Sequence, residues 1–306
     1  RPGLTLRAAQ RGDAGRIVAM WNHAAPHDPI NEILLIEKAW EDPGVVFHEV
    51  LETDGEVQGF ALGVIRKAQG DVVGYLKMLA VAPAERGAGI GSRLLKGAET
   101  ALQTHGARLV RIGGSPPNYL SPGVDDRYGA GLTFLQKHGY RVSGETENMT
   151  VVLDGQDWTT DGDEAGLLRQ GVTVRRAVAG DHEQLKVLAN HFGGTWIDEI
   201  ERALALDPVG VHLAWRGDQL LGFAAWGGNN TAAGWFGPMG TLPEARGLGI
   251  GGVLLKRCLR DLQRQGFKAS VIPWVGPVGF YQRHAGANVS ARLIRMEKTL
   301  DPGVAR

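Results

Sequence analysis

Two eleven-residue stretches hold the clearest chemistry in this sequence. They are Arg86-Gly87-Ala88-Gly89-Ile90-Gly91-Ser92-Arg93-Leu94-Leu95-Lys96 and Arg246-Gly247-Leu248-Gly249-Ile250-Gly251-Gly252-Val253-Leu254-Leu255-Lys256, and they agree at eight of eleven positions. Each follows an apolar run that ends in proline, Leu79–Pro83 and Met239–Pro243, and each opens an amphipathic helical pattern. The spacing predicts a strand, a short turn and a glycine-rich helix start. Such a start suits an anion, because the N–H groups of the first turn lack intrahelical partners and the peptide dipoles favour negative charge there. Glycine lets a diphosphate approach the backbone, since no Cβ intervenes. A P-loop needs Gly-x-x-x-x-Gly-Lys-Ser/Thr, which neither copy has. The dinucleotide spacing Gly-x-Gly-x-x-Gly is met by Gly247, Gly249 and Gly252, but Ser92 takes the third place in the first copy.

The elements that must position these turns read twice along the chain. Leu4–Ala9 alternates like a strand, and Asp13 is placed to cap a helix with Ile17, Val18 and Trp21 on its apolar face. A helical pattern follows at about 30–41. Val45–Thr53 and Val57–Arg66 read as strands joined at Asp54-Gly55, a hairpin signal. Val72–Ala82 leads into the first glycine turn, its helix runs to about His105, and Arg108–Gly113 is a strand. The second half repeats the programme. Val172–Ala177 is a strand, Asp181 a cap, and Leu185, Leu188 and Ala189 a helix face. Trp196–Leu204 is a second helix. Val211–Trp215 and Leu220–Trp226 are strands, and Trp235–Leu242 enters the second glycine turn. Phe267–Pro273, Pro277–His284 and Val289–Thr299 complete it as strand, helix and strand.

Arg86 and Arg246 lie 160 positions apart, but Phe134 and Phe280 lie 146 apart, so the first copy is longer by 14 residues. The extra residues fall in the irregular stretch Gly114–Asp126. Self-similarity over this length implies two domains of one fold, at 1–153 and 172–306, joined by a polar linker at 154–171. The mixture of strands and helices places both in the α/β class with a mixed sheet.

Composition excludes several functions. Net charge is zero, so bulk electrostatics point to no nucleic-acid partner. No apolar run approaches the length that spans a bilayer, and no signal pattern is visible, so a cytoplasmic protein with no membrane partner is expected. The single cysteine, Cys258, excludes an internal disulfide and a multi-cysteine zinc site, and no metal is expected. Cys258 lies at helical spacing from Leu254 and Leu262 and reads as core.

The pattern common to both turns is Arg-x-x-Gly-x-Gly, preceded by Val81-x-Pro83 and Thr241-x-Pro243. It resembles the coenzyme A pyrophosphate loop of the GNAT family of N-acetyltransferases. The resemblance implies two tandem GNAT domains and acetyl-CoA as cofactor. The loops, Arg86 to Ser92 (Arg86, Gly87, Ala88, Gly89, Ile90, Gly91, Ser92) and Arg246 to Gly252 (Arg246, Gly247, Leu248, Gly249, Ile250, Gly251, Gly252), would hold the pyrophosphate. The backbones of Leu79, Val81, Met239 and Thr241 would bond the pantetheine. It also implies direct attack by an amine, with a donor protonating the leaving thiolate. In many members that donor is a tyrosine on the last helix. Tyr281 stands at that place in the second half, and Leu135, which cannot donate a proton, in the first. The catalytic assignment therefore falls on the second half, with Tyr128 as the other donor that would make the first half active. The asparagine that often lies seven residues before the tyrosine is replaced by Trp274.

The expected acceptor is a primary amine of a small molecule, with an amino sugar favoured by analogy. The alternatives are an acceptor like that of mycothiol synthase, a peptide amine, and a non-catalytic acyl-CoA-binding scaffold. Asp125 and Asp126 offer carboxylates for an ammonium, and Tyr119 and Trp274 offer rings for a flat substrate; a stiffened loop over a core edge explains Gly114–Asp126 equally well. The glutamate that the family often places on the central strands is missing. The sequence identifies no base: Asp198, Glu199, His191 and His212 are candidates by neighbourhood only, each reads more readily as a solvated, capping or structural residue, and a water relay serves as well. A monomer is expected, since a tandem repeat can mimic a dimer.

Overall fold

The structure is a computed structural model in which residues 3–300 are described. In chain order its elements are β1 (Thr5–Ala8), α1 (Ala14–Ala24), α2 (Glu32–Ala39), β2 (Val45–Thr53), β3 (Glu56–Ala68), β4 (Asp71–Val81), α3 (Ile90–Thr104), β5 (Leu109–Ile112), β6 (Val124–Asp125), α4 (Gly129–Lys137) and β7 (Arg141–Val152). Then follow α5 (Asp161–Arg169), β8 (Thr173–Arg176), α6 (His182–Asn190), α7 (Trp196–Leu204), β9 (Val211–Arg216), β10 (Gln219–Trp226), β11 (Phe236–Thr241), α8 (Ile250–Arg264), β12 (Ala269–Ile272), α9 (Val278–Ala285) and β13 (Asn288–Thr299).

Two compact units form, but they do not follow the linear boundaries at 153 and 172. The first unit takes the chain up to Thr146 together with the chain from Arg292 on, and the second is Glu147–Ala291. The reason lies in the last strand of each repeat. In the first unit the strands run β1-β2-β3-β4-β5-β13, with Glu297 opposite Arg111 and Thr299 opposite Leu109. In the second unit β12 pairs with β7, Ile272 opposite Met149 and Ala269 opposite Val152. Alternation fixes which face of such a strand is buried, and either repeat accepts the same alternation.

In the first unit β3 and β4 pair antiparallel, while β4 and β5 pair parallel only from Val73–Leu109 to Leu76–Ile112. Beyond Leu76 the two strands part, and β4 continues to Val81 with no strand paired on that side among the described residues. Helix α3 buries Ile90, Leu94, Leu95, Ala98 and Leu102 against this sheet, the stripe expected of period 3.6. The second unit packs α8 in the same way through Ile250, Val253, Leu254, Cys258 and Leu262 on β9, β10 and β11. Its four-stranded sheet runs β11-β10-β9-β8, so among the described residues β11 has no hydrogen-bonded strand on its outer side.

The stretch 154–171 is not a free linker. It contains α5, with Trp158, Thr160 and Leu167 buried. Glu164 accepts from Thr160 Oγ1 at 2.6 Å and from Arg257 Nη1 at 2.7 Å, tying the helix to α8. Asp13 and Asp181 act at the helix starts through a different bond from the expected one. Each accepts from a backbone N–H three residues before it, of Gln10 and Val178, and each pairs with two nitrogens of an arginine, Arg7 and Arg175. Cys258 is fully buried and burial raises its thiol, as a core residue requires. Among the described residues no helix is long and apolar enough to cross a membrane, and no group of acidic, histidine and cysteine side chains is arranged to hold a metal ion.

Candidate active site

Both glycine turns are built to leave backbone N–H groups open. Gly87 and Gly89 adopt φ of 81° and 85°, and Gly247 and Gly249 adopt 83° and 93°, the left-handed region where a Cβ costs energy. The alternation of left-handed and ordinary residues turns successive N–H groups to one side, the nest geometry that binds anions. Among the described residues the N–H groups from Gly87 to Ser92 and from Gly247 to Gly252 have no protein acceptor. The helical bonds begin afterwards, with Arg93 N–H to Gly89 O and Val253 N–H to Gly249 O. A Cβ on Gly87, Gly89, Gly247 or Gly249 would meet no atom within 4 Å, so open space lies over both turns. The third glycine of each turn serves packing. A Cβ on Gly91 would stand 3.3 Å from Phe134, and one on Gly251 would stand 3.1 Å from Phe280. These features fit a diphosphate of coenzyme A at either turn. Arg86 and Arg246 are exposed beside them, anchored to Ala24 O and Thr241 O.

In the first unit the turn opens into a cavity of about 810 Å³. Its wall includes Leu79, Val81, Gly87, Gly89, Gly91 and Ser92, so the turn and the free part of β4 face one space. Ser92 Oγ lies 3.0 Å from His138 Nε2. Asp28, Asp125 and Tyr128 also line the cavity. Asp125 is 2% exposed and is occupied by Arg127, whose Nε and Nη2 donate at 2.8 and 2.5 Å. Tyr128 accepts from the His27 N–H at 2.9 Å, and its phenol neighbours the Asp28 carboxylate. Burial pushes Asp28 up to about 6; Asp125 adds to this, and Tyr128, His27 and Arg127 oppose it. Burial, and then Asp28, holds the Tyr128 phenol above its ordinary range.

Tyr119 is not available to stack on a substrate. It is 6% exposed and does not line the cavity. The inserted stretch instead covers a buried polar group: Lys38 Nζ donates to Asn118 Oδ1 at 2.7 Å, and Arg66 Nε to Pro116 O at 2.9 Å. Its later part, Leu120 to Asp125, borders the cavity and pairs through β6 with Leu293 and Ile294.

In the second unit Tyr281 lies on α9, 7% exposed, with its ring edge-on to Phe236 and Phe280. Burial pushes its hydroxyl up to about 12, so it stays protonated at neutral pH. It makes no hydrogen bond to any described residue. Trp274 takes a φ of 53°, and its N–H donates to Asn148 Oδ1 at 3.0 Å. Met239 and Thr241 lie on the edge strand β11, opposite Ala224 and Gly222. Of the residues considered as base, His212 is fully buried between Asp261 and Arg257 and serves the core. His191 and Asp198 are exposed, and Glu199 is buried. Sequence reading missed the Asp28–Tyr128 pair, whose members are 100 positions apart.

Comparison with known proteins agrees with this geometry. The acetyltransferase (GNAT) family model matches residues 15–121 and again 183–287. A mycothiol acetyltransferase of Geodermatophilus obscurus is 32% identical over 241 residues, which cover 72% of this chain and 71% of that protein. An L-2,4-diaminobutyric acid acetyltransferase of Nocardia farcinica is 32% identical over 132 residues, 42% of this chain and 67% of its own. Among solved structures, the glucosamine N-acetyltransferase region of a fungal multi-domain beta-N-acetylglucosaminidase matches 97% of this chain with a TM-score of 0.82. At 19% identity, and with 38% of that chain covered, it is a likeness of fold.

Proposed function

From the premise that this chain belongs to the acetyltransferase (GNAT) family, matched in both repeats, we propose that it acetylates the primary amine of a small molecule, an amino sugar or a related metabolite. The chain is an N-acetyltransferase, and acetyl-CoA supplies the activated acetyl thioester. The observation that carries the proposal is the pair of glycine turns, each offering consecutive unpaired N–H groups under open space.

In this reading the N–H groups from Gly247 to Gly252 hold the diphosphate, and the Met239 and Thr241 backbones orient the arm behind it. Tyr281 donates the proton to the leaving sulfur. Its raised affinity for the proton keeps it in the donor form, and its unpartnered hydroxyl is free to act. The amine must be neutral to attack. With His212 locked in the core, water relays the amine proton outward in the second unit. Similarity to a mycothiol acetyltransferase and a diaminobutyric acid acetyltransferase supports an amine on a small polar molecule over a protein amine.

The test is thiol release from acetyl-CoA with a panel of glucosamine, L-2,4-diaminobutyrate and an unblocked peptide. Turnover with one or more of the small amines, well above the peptide, is expected. Thiol release only with the peptide would overturn the acceptor class, and acetyl-CoA binding without transfer to any amine would turn the reading to a scaffold.

A further inference from the structure

Tyr281 serves the second unit, yet the first unit has a cavity, an open anion cradle and a carboxylate that the reading above leaves unused. We propose that the first unit is a second acetyl-transfer centre, in which Asp28, oriented by Tyr128, binds the acceptor ammonium and takes its proton. This goes beyond the Tyr281 site, although it rests on the same family reaction.

The first observation is common enclosure. Gly87 and Gly89 of the cradle, Leu79 and Val81 of the free β4 edge, and Asp28 and Tyr128 all line one cavity of about 810 Å³. That volume suits a small ligand beside the arm of a cofactor. The second observation is orientation. Tyr128 accepts from the His27 N–H at 2.9 Å, and its ring lies 5.3 Å from that of His27, so the residue next to Asp28 is tied to Tyr128. That tie holds Asp28 beside the phenol at the cavity wall. Tyr128 takes the position seven residues before Leu135, where the second repeat has Trp274 seven before Tyr281.

The third observation is charge. Among the described residues no cation forms an ion pair with Asp28. The nearby Arg127 is already bound to Asp125 by its Nε, Nη2 and backbone N–H. A partly buried carboxylate with no cation of its own is costly, and a carboxylate accepts more than one donor. An ammonium supplies both the charge and the donors. The groups that face Asp28 are Tyr128, Asp125, His27 and Arg127, and their balance with burial leaves it at about 6. That is suited to a base working near neutral pH.

The step balances without a further reactant. The acceptor ammonium gives one proton to the Asp28 carboxylate and becomes a neutral amine. The amine nitrogen forms the new amide bond to the acetyl carbon as the carbon–sulfur bond breaks, and the second proton it sheds goes to the departing sulfur. Asp28 then returns its proton to water. Leu135 is not needed as a donor on this route.

The test uses the full chain carrying Tyr281→Phe, with Asp28→Asn or Tyr128→Phe added, and glucosamine and L-2,4-diaminobutyrate as amines. The Tyr281→Phe chain should keep part of its thiol release, falling as pH drops below about 6. Adding Asp28→Asn should lower kcat at least about 100-fold and remove that acid limb. Adding Gly89→Trp should abolish the residue of activity. No turnover in the Tyr281→Phe chain, or turnover indifferent to Asp28→Asn, overturns the proposal while leaving the Tyr281 site intact. An acceptor-free arm follows the carboxyl carbon of Asp28 by NMR in the presence of coenzyme A. A midpoint near 6 that moves in Tyr128→Phe supports the proposal, and one in the ordinary carboxylate range overturns it even if no amine in the panel reacts.

Discussion

Replacing Asp261 by alanine should unfold the second unit far more easily, and only at pH values where the carboxylate is charged. Asp261 is 3% exposed on α8. It accepts from Arg176 Nη1 and Nη2 at 2.6 and 2.9 Å, from His212 Nε2 at 2.7 Å and from Trp226 Nε1 at 3.1 Å. Removing one partner of a buried, hydrogen-bonded pair costs about 3–5 kcal/mol. Arg176 is 34% exposed in its side chain and recovers some hydration, but His212 and Trp226 are left without an acceptor inside the core. A loss of about 3 kcal/mol follows, with a Tm lower by about 6 °C or more for a unit of this size. Burial alone would raise the Asp261 carboxyl; the bonds from His212 and Arg176 outweigh it and hold the group well below the usual range. A depressed carboxylate contributes stability above its unfolded pKa, about 3.9, and loses it as pH falls toward the folded value. Urea unfolding followed by tryptophan fluorescence reads this unit, which holds Trp158, Trp196, Trp215, Trp226, Trp235 and Trp274. The penalty should be full at neutral pH and shrink below about pH 4. A loss under about 1 kcal/mol, or one as large in acid as at neutrality, would refute the reasoning.

Three further outcomes follow. Tyr281→Phe should lower kcat of the second unit about 100-fold while leaving its Tm unchanged, since the hydroxyl bonds no described residue; a drop in Tm with kcat intact would contradict this. Asp28→Asn should stabilise the chain by up to about 1 kcal/mol at pH 8 and not at all below about pH 4. The sign follows from a folded pKa raised to about 6: burial penalises the charged form, and the penalty is absent below the unfolded pKa and complete above the folded one. Calorimetric unfolding at both pH values checks it, and a destabilised variant at pH 8 would count against it. Gly89→Ala meets no neighbour, so it should cost only the left-handed strain of about 1–2 kcal/mol while its Cβ weakens acetyl-CoA binding in a titration.

The glycine turns were legible because backbone conformation and ligand approach both demand glycine there, and the apolar spacings of α3 and α8 gave their buried stripes. Strand partners were not. The alternation of β7 and β13 states a buried face but names no neighbour, so their pairing with β12 and β5 was hidden. Helix α5 escaped because its composition is polar and only Leu167 is buried in it; Thr160 four residues before Glu164 was the local signal. The turns at the helix starts and Tyr281 on the last helix could be placed on their elements from the sequence alone. Asp28 could not, because what distinguishes it is a tyrosine 100 positions away. Nothing in the sequence tells that His212 lies between Asp261 and Arg257, since both partners are more than 40 positions away.

Calorimetric titration of acetyl-CoA, with Gly89→Trp and Gly249→Trp beside the wild type, tests the central claim most directly. A tryptophan at either position fills the open space over its turn. The account expects two equivalents in the wild type, one in each variant and none in the double variant. Binding that survives both substitutions, or no binding in the wild type, would contradict it.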